Sequence, residues 1–385
     1  MRRLSIKNFG PIQDASLDLG QVNVIIGQQS SGKSCVLKTA CYCAWVEKRI
    51  ELTQDSNPFS NKSEFIEILA YYYNMTGYIR EDTYIEYETN HLKFSYNNSD
   101  QSFIMNWKSG HWTYKRPKVS YVPADRNLVA AIPGWSTLPL DENLLEFMSN
   151  WDKARKFFGK EEDILGLGIS YMYDKQTNTD KIQLRNGVPM MLKESSSGIQ
   201  SLFPMFVHLD YMTKGQYEDD KAKTSYDQKE ERKKLLEILY EKFHKSLSLE
   251  HGTEIETIDG IEYRFTDKKE ASYFKRILNN YTKTDHSEIF LEEPEDNLFP
   301  PTQCQLVNWL VESIRKHRDM LFVATHSPYI LNQFIKADPK GLTIFFTHQL
   351  DEEQQLYSVR QLNEEEVREI YDNGVDMFFN FEAYV

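Results

Sequence analysis

The sequence predicts an α/β fold with an antiparallel β region near its N-terminus. A short apolar, β-branched run at residues 22–26 is followed by a glycine-containing loop and then by a helical pattern. Residues 77–122 alternate apolar and polar positions between short polar breaks, which is typical of an antiparallel meander. From residue 287 onward, apolar runs again alternate with helical patterns, and this order is typical of an α/β sheet.

The remaining elements are predicted in chain order. Residues 3–26 form two or three strands, the last of which enters the glycine loop. Further strands are predicted at 169–173, 181–185, 190–192, 288–291, 320–325 and 342–347. Helices are predicted at 34–50, 62–75, 141–159, 229–247, 302–316 and 328–335. The helix at 229–247 carries an apolar stripe inside the charged segment 213–250, which predicts an exposed amphipathic helix.

Composition restricts the class of protein. The chain has 385 residues, 40% hydrophobic and 27% charged, so it can bury a sizeable core in about two domains. A net charge of −13 argues against a surface coated with basic charge, although a local basic surface remains compatible with it. No apolar run is long enough to span a membrane, and the first residues do not resemble a secretion signal. Four scattered cysteines predict reduced thiols in a cytoplasmic protein.

Residues 27–34, Gly-Gln-Gln-Ser-Ser-Gly-Lys-Ser, fit the phosphate-loop pattern and lie between a predicted strand and a predicted helix. The first turn of a helix has unpaired N–H groups, and its dipole favours an anion there. Gly27 and Gly32 let the backbone approach a phosphate. Lys33 is placed to reach the β- and γ-phosphates, and Ser34 to ligate Mg²⁺. A chance glycine turn is the alternative interpretation.

Two later segments carry groups suited to phosphoryl chemistry. The apolar run 289–291 ends in Glu292 and Glu293, and we assign Glu292 to a metal and Glu293 to the attacking water. The alternative is a solvated acidic turn. His326 follows the predicted strand 320–325, at the carboxyl end where ligands of α/β sheets collect. It would sense the γ-phosphate or hold the water, whereas a lone histidine there would more often be structural.

A serine–glycine turn precedes an apolar helix. Ser195, Ser196, Ser197 and Gly198 offer hydroxyl and N–H donors, which would suit a second phosphate-binding surface. Taken alone, this turn is only a good helix cap.

In their order along the chain, these four segments resemble the motifs of ABC-type ATPases, specifically the soluble SMC, RecF and OLD-like branch and its stand-alone bacterial "AAA family ATPase" members (AAA_15- and AAA_21-like). The resemblance implies an ABC/SMC-type P-loop ATPase head with a mixed central sheet, an N-terminal antiparallel β subdomain and a helical insert. The matching segments are residues 27–34 (Walker A), 195–200 (a variant Leu-Ser-Gly-Gly signature), Glu292 with Glu293 (Walker B and the catalytic acid), 295–298 (the D-loop) and His326 (the switch histidine).

The resemblance implies ATP and Mg²⁺ as cofactors. The implied catalytic residues are Glu293, His326 and Lys33. The implied ATP contacts are Gly27, Gln28, Gln29, Ser30, Ser31, Gly32, Lys33, Ser34 and Cys35 in cis, with Ser196, Ser197 and Gly198 of a second protomer in trans. The implied metal ligands are Ser34 and Glu292, with Asp125 as a further candidate.

The chain departs from the family pattern at several positions. Ser195 replaces the signature leucine, Ser197 replaces its first glycine, and Glu292 replaces the usual aspartate. No glutamine follows Pro123 where the family places its Q-loop, so Asp125 or Arg126 is the candidate substitute.

The resemblance also implies partners. The signature of one protomer completes the ATP site of another, which predicts a head-to-tail ATP-sandwich dimer or a higher oligomer. Far more than one helix separates the signature from Glu292, which argues against a transport ATPase, and neither coiled-coil arms nor a nuclease domain is evident. We expect four regions: 1–126 and 286–385 as the two parts of the head, 127–212 as the helical signature region, and 213–285 as a charged insert.

Two outputs of the ATPase remain open in the sequence. An effector such as a nuclease or toxin is one, as in bacterial phage defence, and the aromatic tail at 377–385 would dock it or pack on the core. DNA or RNA is the other, through residues 107–116 and the cluster of Lys153, Arg155, Lys156 and Lys160. An edge hairpin with protective lysines explains residues 107–116 equally well. A nucleotide-gated scaffold with little turnover is the alternative to an active ATPase.

Overall fold

A computed structural model describes residues 2–61, 63–132, 138–158, 163–219, 226–247, 254–351 and 353–374. Its strands are β1 (Arg3–Phe9), β2 (Ile12–Asp18), β3 (Val22–Gly27), β4 (Ile79–Glu88), β5 (Leu92–Asn97), β6 (Ser102–Trp107), β7 (Pro117–Val122), β8 (Ile169–Asp174), β9 (Thr179–Leu184), β10 (Pro189–Met191), β11 (Glu254–Ile258), β12 (Ile261–Phe265), β13 (His286–Glu292), β14 (Met320–Thr325), β15 (Leu342–Asp351) and β16 (Leu356–Gln361).

The helices cover both faces of the largest sheet. They are α1 (Lys33–Thr53), α2 (Asn57–Ser60), α3 (Glu64–Tyr72), α4 (Leu128–Ala131), α5 (Glu142–Phe157), α6 (Ser197–Asp210), α7 (Gln216–Asp219), α8 (Tyr226–Leu247), α9 (Lys268–Thr282), α10 (Pro300–Arg315), α11 (Pro328–Ala337) and α12 (Glu364–Asn373). A π-helical turn, Tyr211–Gly215, joins α6 to α7.

Eleven of the described strands form one mixed sheet, in the order β6-β5-β4-β1-β2-β16-β15-β3-β14-β13-β7. From β7 to β15 neighbouring strands are parallel, and from β2 to β6 they are antiparallel. β16 joins the two halves, because it pairs antiparallel with β15 and parallel with β2. The parallel register sets Glu292 opposite Ala324, Thr325 opposite Ile26, and Thr347 opposite Gly27. The carboxyl ends of these strands therefore meet at one edge.

Alternate residues of the parallel strands enter two different cores. Val24 of β3 and Leu291 of β13 face the cluster formed with α5, α6, α10 and α11, whereas Ile25 and Phe290 face the cluster formed with α1 and α3. All six residues of β3 are buried. Strands covered on both faces have no polar side, which explains why these segments are continuous apolar runs in the sequence.

A third, smaller core lies in the segment after α7. Leu236, Leu239 and Phe243 of α8 are buried against Phe274 of α9 and Phe265 of β12. The predicted amphipathic helix at 229–247 is confirmed as α8, since only its apolar stripe is buried and its other described residues are exposed or partly exposed. Its apolar stripe is covered by α9 and the β11–β12 hairpin, neither of which the sequence analysis predicted.

Two other predicted elements differ from those in the structure. The meander expected over 77–122 ends at β6, and β7 pairs in parallel with β13 instead. The helix expected at 62–75 is the shorter α3, since Asn74 has a left-handed φ of 55° that is incompatible with continuing a helix. β16 and α12 were not predicted.

A buried polar cluster ties α1 to this third core. The Tyr281 hydroxyl donates to Glu51 Oε2 at 2.6 Å, His111 Nδ1 lies 3.3 Å from the same oxygen, and His111 Nε2 lies 3.1 Å from Gln54 Oε1. Burial raises the pKa of Glu51 to about 8 and lowers the pKa of His111 to about 4. Both side chains are therefore neutral near pH 6.

We expect the stability contribution of Glu51 to fall as pH rises. Between its ordinary pKa and about 8, the folded protein binds a proton at Glu51 that the unfolded chain has released, so unfolding becomes easier through that window. Glu51→Gln removes this titration and should gain about 4 kcal/mol relative to the parent between pH 5 and pH 8.5, since roughly three pH units at about 1.4 kcal/mol each lie in that window. Urea unfolding at both pH values measures it. Glu262→Gln, at an exposed position, is the control, and a pH-independent difference for Glu51→Gln would contradict the assignment.

Candidate nucleotide-binding site

The loop at residues 27–34 lies between β3 and α1, as predicted. Gly27 has φ 153° and Gly32 has φ 87°, and a Cβ at Gly27 would lie 1.7 Å from Thr347 Oγ1. A Cβ at Gly32 would lie 2.4 Å from Ile12 Cδ1. Close packing behind the loop thus requires both glycines. Because α1 begins at Lys33, its unpaired first-turn N–H groups belong to this loop.

Lys33 is folded onto the loop that precedes it. Its Nζ donates to the carbonyl oxygens of Gly27 at 3.1 Å and Gln28 at 2.6 Å, and only 6% of the residue is exposed. Burial lowers the pKa of Lys33, while the negative charges of Glu293, Glu295 and Glu292 oppose that shift. The ammonium group is thus held at the loop with the acidic side chains close enough to act on it.

Hydrogen bonds of Ser31 and Thr347 fix the rest of the loop. Ser31 Oγ donates to the Gln28 carbonyl at 2.7 Å and lies 2.6 Å from Thr347 Oγ1. Gln28, Gln29 and Ser30 are exposed. Cys35 is buried, its Sγ donates to the Phe9 carbonyl at 3.7 Å, and burial raises the pKa of its thiol to about 12. The Cys35 side chain therefore belongs to the core, so only its backbone is available to a ligand.

The first acidic residue of the pair is fixed by a tyrosine. Glu292 is the last residue of β13 and is 8% exposed, and its Oε2 accepts a hydrogen bond from the Tyr121 hydroxyl of the neighbouring β7. Burial and the adjacent carboxylate raise the pKa of Tyr121 well above its ordinary value, so this hydroxyl stays a donor. Sequence reasoning missed Tyr121, because its role depends on the unpredicted pairing of β7 with β13.

The second acidic residue turns toward the histidine. Glu293 leaves the strand with a left-handed φ of 42°, and its N–H donates to the Ala324 carbonyl at 2.9 Å. Its Oε1 lies 3.5 Å from His326 Nδ1. The hydrogen bond from His326 lowers the pKa of Glu293, and the same contact raises the pKa of His326. The structure therefore brings together the predicted catalytic pair.

Glu295, which was not predicted as a site residue, binds the backbone and side chains around His326. Its Oε1 accepts from Thr325 Oγ1 at 2.8 Å and from the His326 N–H at 2.9 Å, and lies 3.6 Å from His326 Nδ1. Its second oxygen, Oε2, is buried without a hydrogen-bond partner in the described structure. This buried carboxylate fixes the loop on which His326 stands.

Arg126 holds the acidic turn itself. Its guanidinium is fully buried and donates to the carbonyl oxygens of Glu292 at 2.9 Å, Glu293 at 2.7 Å and Pro123 at 3.2 Å. Arg126, one of two proposed Q-loop substitutes, therefore contacts backbone, and Asp125, the other, is exposed. In the part of the chain that the structure describes, no three His, Cys, Asp or Glu side chains form a metal-binding group.

The signature-like segment lies beside the acidic turn of its own chain. A Cβ at Gly198 would lie 2.7 Å from the Asn297 carbonyl oxygen, so this glycine permits a close backbone approach. Ser196 and Ser197 are exposed. Among the described residues, no hydrogen bond joins these two serines to the loop at 27–34.

The segments that suggested nucleic acid are largely occupied by contacts within the chain. Lys108 pairs with Glu88 at 2.6 Å, Lys115 with Asp285 at 2.8 Å, and Arg155 with Asp180 at 2.7 Å. Trp112 packs on Phe243, with ring centroids 5.6 Å apart. Lys160 and the tail at 377–385 lie outside the described residues. The geometry therefore gives no support to a phosphate-binding surface at these positions.

Comparison with known proteins places this geometry in a family. The AAA_23 family model, described as an AAA domain, matches residues 3–373. No curated protein gives a significant sequence match. None of the described helices combines the length and apolarity that a membrane-spanning helix needs.

Solved structures give distant matches. The SMC head domain from Thermotoga maritima is 11% identical, with a TM-score of 0.43 over 94% of this chain and 98% of that one. The Smc head domain from Pyrococcus furiosus, solved with the C-terminal domain of ScpA, is 9% identical, with a TM-score of 0.41 over 97% and 99%. RecF bound to ATPrS is 13% identical, with a TM-score of 0.33 over 94% and 97%. These scores are too low to carry an argument.

The family match covers nearly the whole chain, and the sheet order unites the phosphate loop with the acidic strand and the histidine. The chain therefore belongs to the AAA_23 family of AAA domains, and the α/β ATPase-head fold predicted from its sequence is confirmed.

Proposed function

We propose that this protein is a Mg²⁺-dependent ATPase that works as an ATP-sandwich dimer. One observation carries the proposal: β3, β13 and β14 end at the same sheet edge and present Lys33, the Glu292–Glu293 pair and His326 to one another. An ammonium group, two carboxyl groups and an imidazole are suited to positioning, metal binding and water activation in phosphoryl transfer.

The residues fit both cofactors. The glycine-containing loop, with the N-terminus of α1 behind it, suits the phosphates of ATP. Among the described residues, the Lys33 ammonium bonds to two backbone carbonyls, which phosphate oxygens could replace. Ser34 and Glu292 offer the hard oxygen donors that Mg²⁺ prefers, and so few protein ligands suit an ion that keeps its water and phosphate ligands. When bound, Mg²⁺ supplies neutralisation of phosphate charge.

Glu293 is the proposed general base. Its lowered pKa keeps the carboxylate ionised at neutral pH, ready to accept a proton from water at Oε1 or Oε2. His326 has a raised pKa and is half-exposed, so as an imidazolium it would orient Glu293 and face the transferred charge. Glu295 and Arg126 are positioning residues, since they hold the two loops that carry these groups.

The proposed dimer uses the exposed surface around the acidic turn. Ser196, Ser197 and Gly198 would reach the ATP of the other protomer, and their exposure at the start of α6 supports this. Phe299, 76% exposed, follows the Asp296–Leu298 turn, and Tyr329, 40% exposed, follows His326. Such large exposed rings beside a site are suited to contact with another chain. We place the output in an effector protein such as a nuclease or toxin, in phage defence or DNA maintenance.

Lys33→Ala should weaken ATP binding at least about 100-fold, since it removes a charge-assisted contact to phosphate from a buried position. Titration calorimetry with ATP and Mg²⁺ measures the affinity. Lys38→Ala, on the same helix, is the matched control and should bind normally. Unchanged affinity in Lys33→Ala would contradict the loop assignment.

Glu293→Gln should lower turnover by roughly 10²- to 10⁴-fold and accumulate an ATP-bound dimer, because the amide cannot accept the proton. Light scattering after size exclusion, with and without ATP and Mg²⁺, measures the mass. Glu365→Gln, an exposed glutamate, serves as the control. Turnover at the parental rate in Glu293→Gln would refute the assignment of the base. A large assembly that forms equally with and without nucleotide would favour the alternative of a nucleotide-gated scaffold with little turnover.

His326→Gln should shift the acid limb of the turnover–pH profile to higher pH. The imidazolium lowers the pKa of Glu293, so its removal returns that pKa toward the ordinary value and the base protonates earlier as pH falls. Glu295 and Lys33 remain in both proteins, so the comparison isolates the histidine. Steady-state rates from about pH 3 to pH 8, a range that extends to both sides of the ordinary glutamate pKa, test this, with His317→Gln as the control. An unshifted limb would exclude the Glu293–His326 coupling.

A further inference from the structure

A cavity lies at the sheet edge opposite the phosphate loop. It has a volume of about 320 Å³ and is lined by Gln21, Val22, Val311, Ile314, Arg315, Arg318, Pro339 and Lys340. Val22 is the first residue of β3, whose last residue is Gly27 of the phosphate loop. The cavity and that loop are therefore separated by the length of the strand, roughly 17 Å for six residues.

Three cations from separate positions surround this cavity. Arg315 ends α10, Arg318 lies in the following turn, and Lys340 lies between α11 and β15. Within the described residues, none of the three makes an ion pair or a side-chain hydrogen bond. The chain has 58 acidic and 45 basic residues, and many of its other cations are paired with carboxylates. Arg315, Arg318 and Lys340 are exposed to solvent, and all three lie around one concavity.

Helix capping explains only part of the arrangement. A cation at the C-terminus of α10 complements the helix dipole, which accounts for Arg315. It does not account for Lys340, which comes from a different segment. The nearby Asp319 is committed elsewhere, since its Oδ1 accepts from the Tyr217 hydroxyl and the Ser287 N–H, each at 2.6 Å. Glu312 and Asp338 form no ion pair with the three cations among the described residues.

Apart from Gln21, whose Nε2 donates to the Asp319 carbonyl at 3.2 Å, the remaining lining residues are apolar. Val22, Val311 and Ile314 are at most 4% exposed, and Pro339 is also buried. Small-molecule sites combine an apolar lining with a few polar groups and have volumes from about 300 Å³ upward. Arginine forms paired hydrogen bonds to phosphate oxygens, and lysine adds a point charge. An apolar base and two or more phosphate charges would match these walls together.

We propose that this cavity is a second site, which binds a phosphorylated small molecule of the nucleotide class independently of the phosphate loop. The ligand would contact the start of β3, the strand that leads to Gly27.

The test uses calorimetry with ADP on the Lys33→Ala protein, in which the phosphate loop is disabled. ADP should still bind, and adding Arg315→Gln, Arg318→Gln and Lys340→Gln together should weaken that binding at least tenfold. The matched control adds Lys7→Gln, Lys175→Gln and Lys283→Gln, at exposed positions elsewhere, and should leave it unchanged. Because Lys33 is already removed, the result does not depend on whether the protein hydrolyses ATP.

Further measurements keep the proposal falsifiable. Pyrophosphate should bind more weakly than ADP, since it lacks a base for the apolar wall, and equal affinities would refute the nucleotide class. If the triple variant melts at a lower temperature than the control, Arg318→Gln alone is compared with Lys175→Gln. ADP should also slow amide exchange at residues 21 and 22 of the Lys33→Ala protein. No ADP binding, or binding that the cavity substitutions leave unchanged, would overturn the second site.

Discussion

The candidate site depends on one buried guanidinium. Arg126 donates to the carbonyl oxygens of Glu292 and Glu293, the two peptides at which β13 ends and the chain turns. Burying a cation is costly unless it is paired, and burial does lower the pKa of Arg126. Its three carbonyl acceptors, which include Pro123, and the surrounding carboxylates offset that cost. In return, the backbone of Glu293 is held in a left-handed conformation that directs its carboxylate to His326.

The parallel register of the strands brings the other residues of the candidate site to the same edge of the sheet. Hydrogen bonding between β13, β14 and β3 sets Glu292 beside Ala324 and Thr325 beside Ile26, so three groups that are distant in the sequence reach one edge of the sheet. Local contacts then refine the positions. Tyr121 fixes Glu292, Glu295 fixes the loop of His326, and the carbonyls of the phosphate loop hold Lys33. Each of these side chains is restrained by a group on a different element.

The sequence located the elements that a local pattern of residues defines. It did not reveal contacts that depend on residues far apart in the chain. Continuous apolar runs located β3, β13 and β14, and the residues that follow them located Lys33, Glu293 and His326. The pairing of β7 with β13 was missed because an alternating run is compatible with several neighbours, and the role of Tyr121 was missed with it. Burial of Arg126 and Glu295 could not be foreseen, since charged residues in polar turns are normally solvated. The stripe on α8 was recognised, but not α9, which covers it.

The phosphate loop connects two regular elements, β3 before it and α1 after it. β3 arrives from the basic cavity, and α1 departs for 21 residues, roughly 30 Å, toward the third core. At its far end, Glu51 bonds to Tyr281 of α9, within a neutral buried cluster. β3 and α1 therefore join the phosphate loop to these two regions through regular secondary structure. The phosphate loop is therefore the segment at which the strand from the basic cavity joins the helix that runs to the third core.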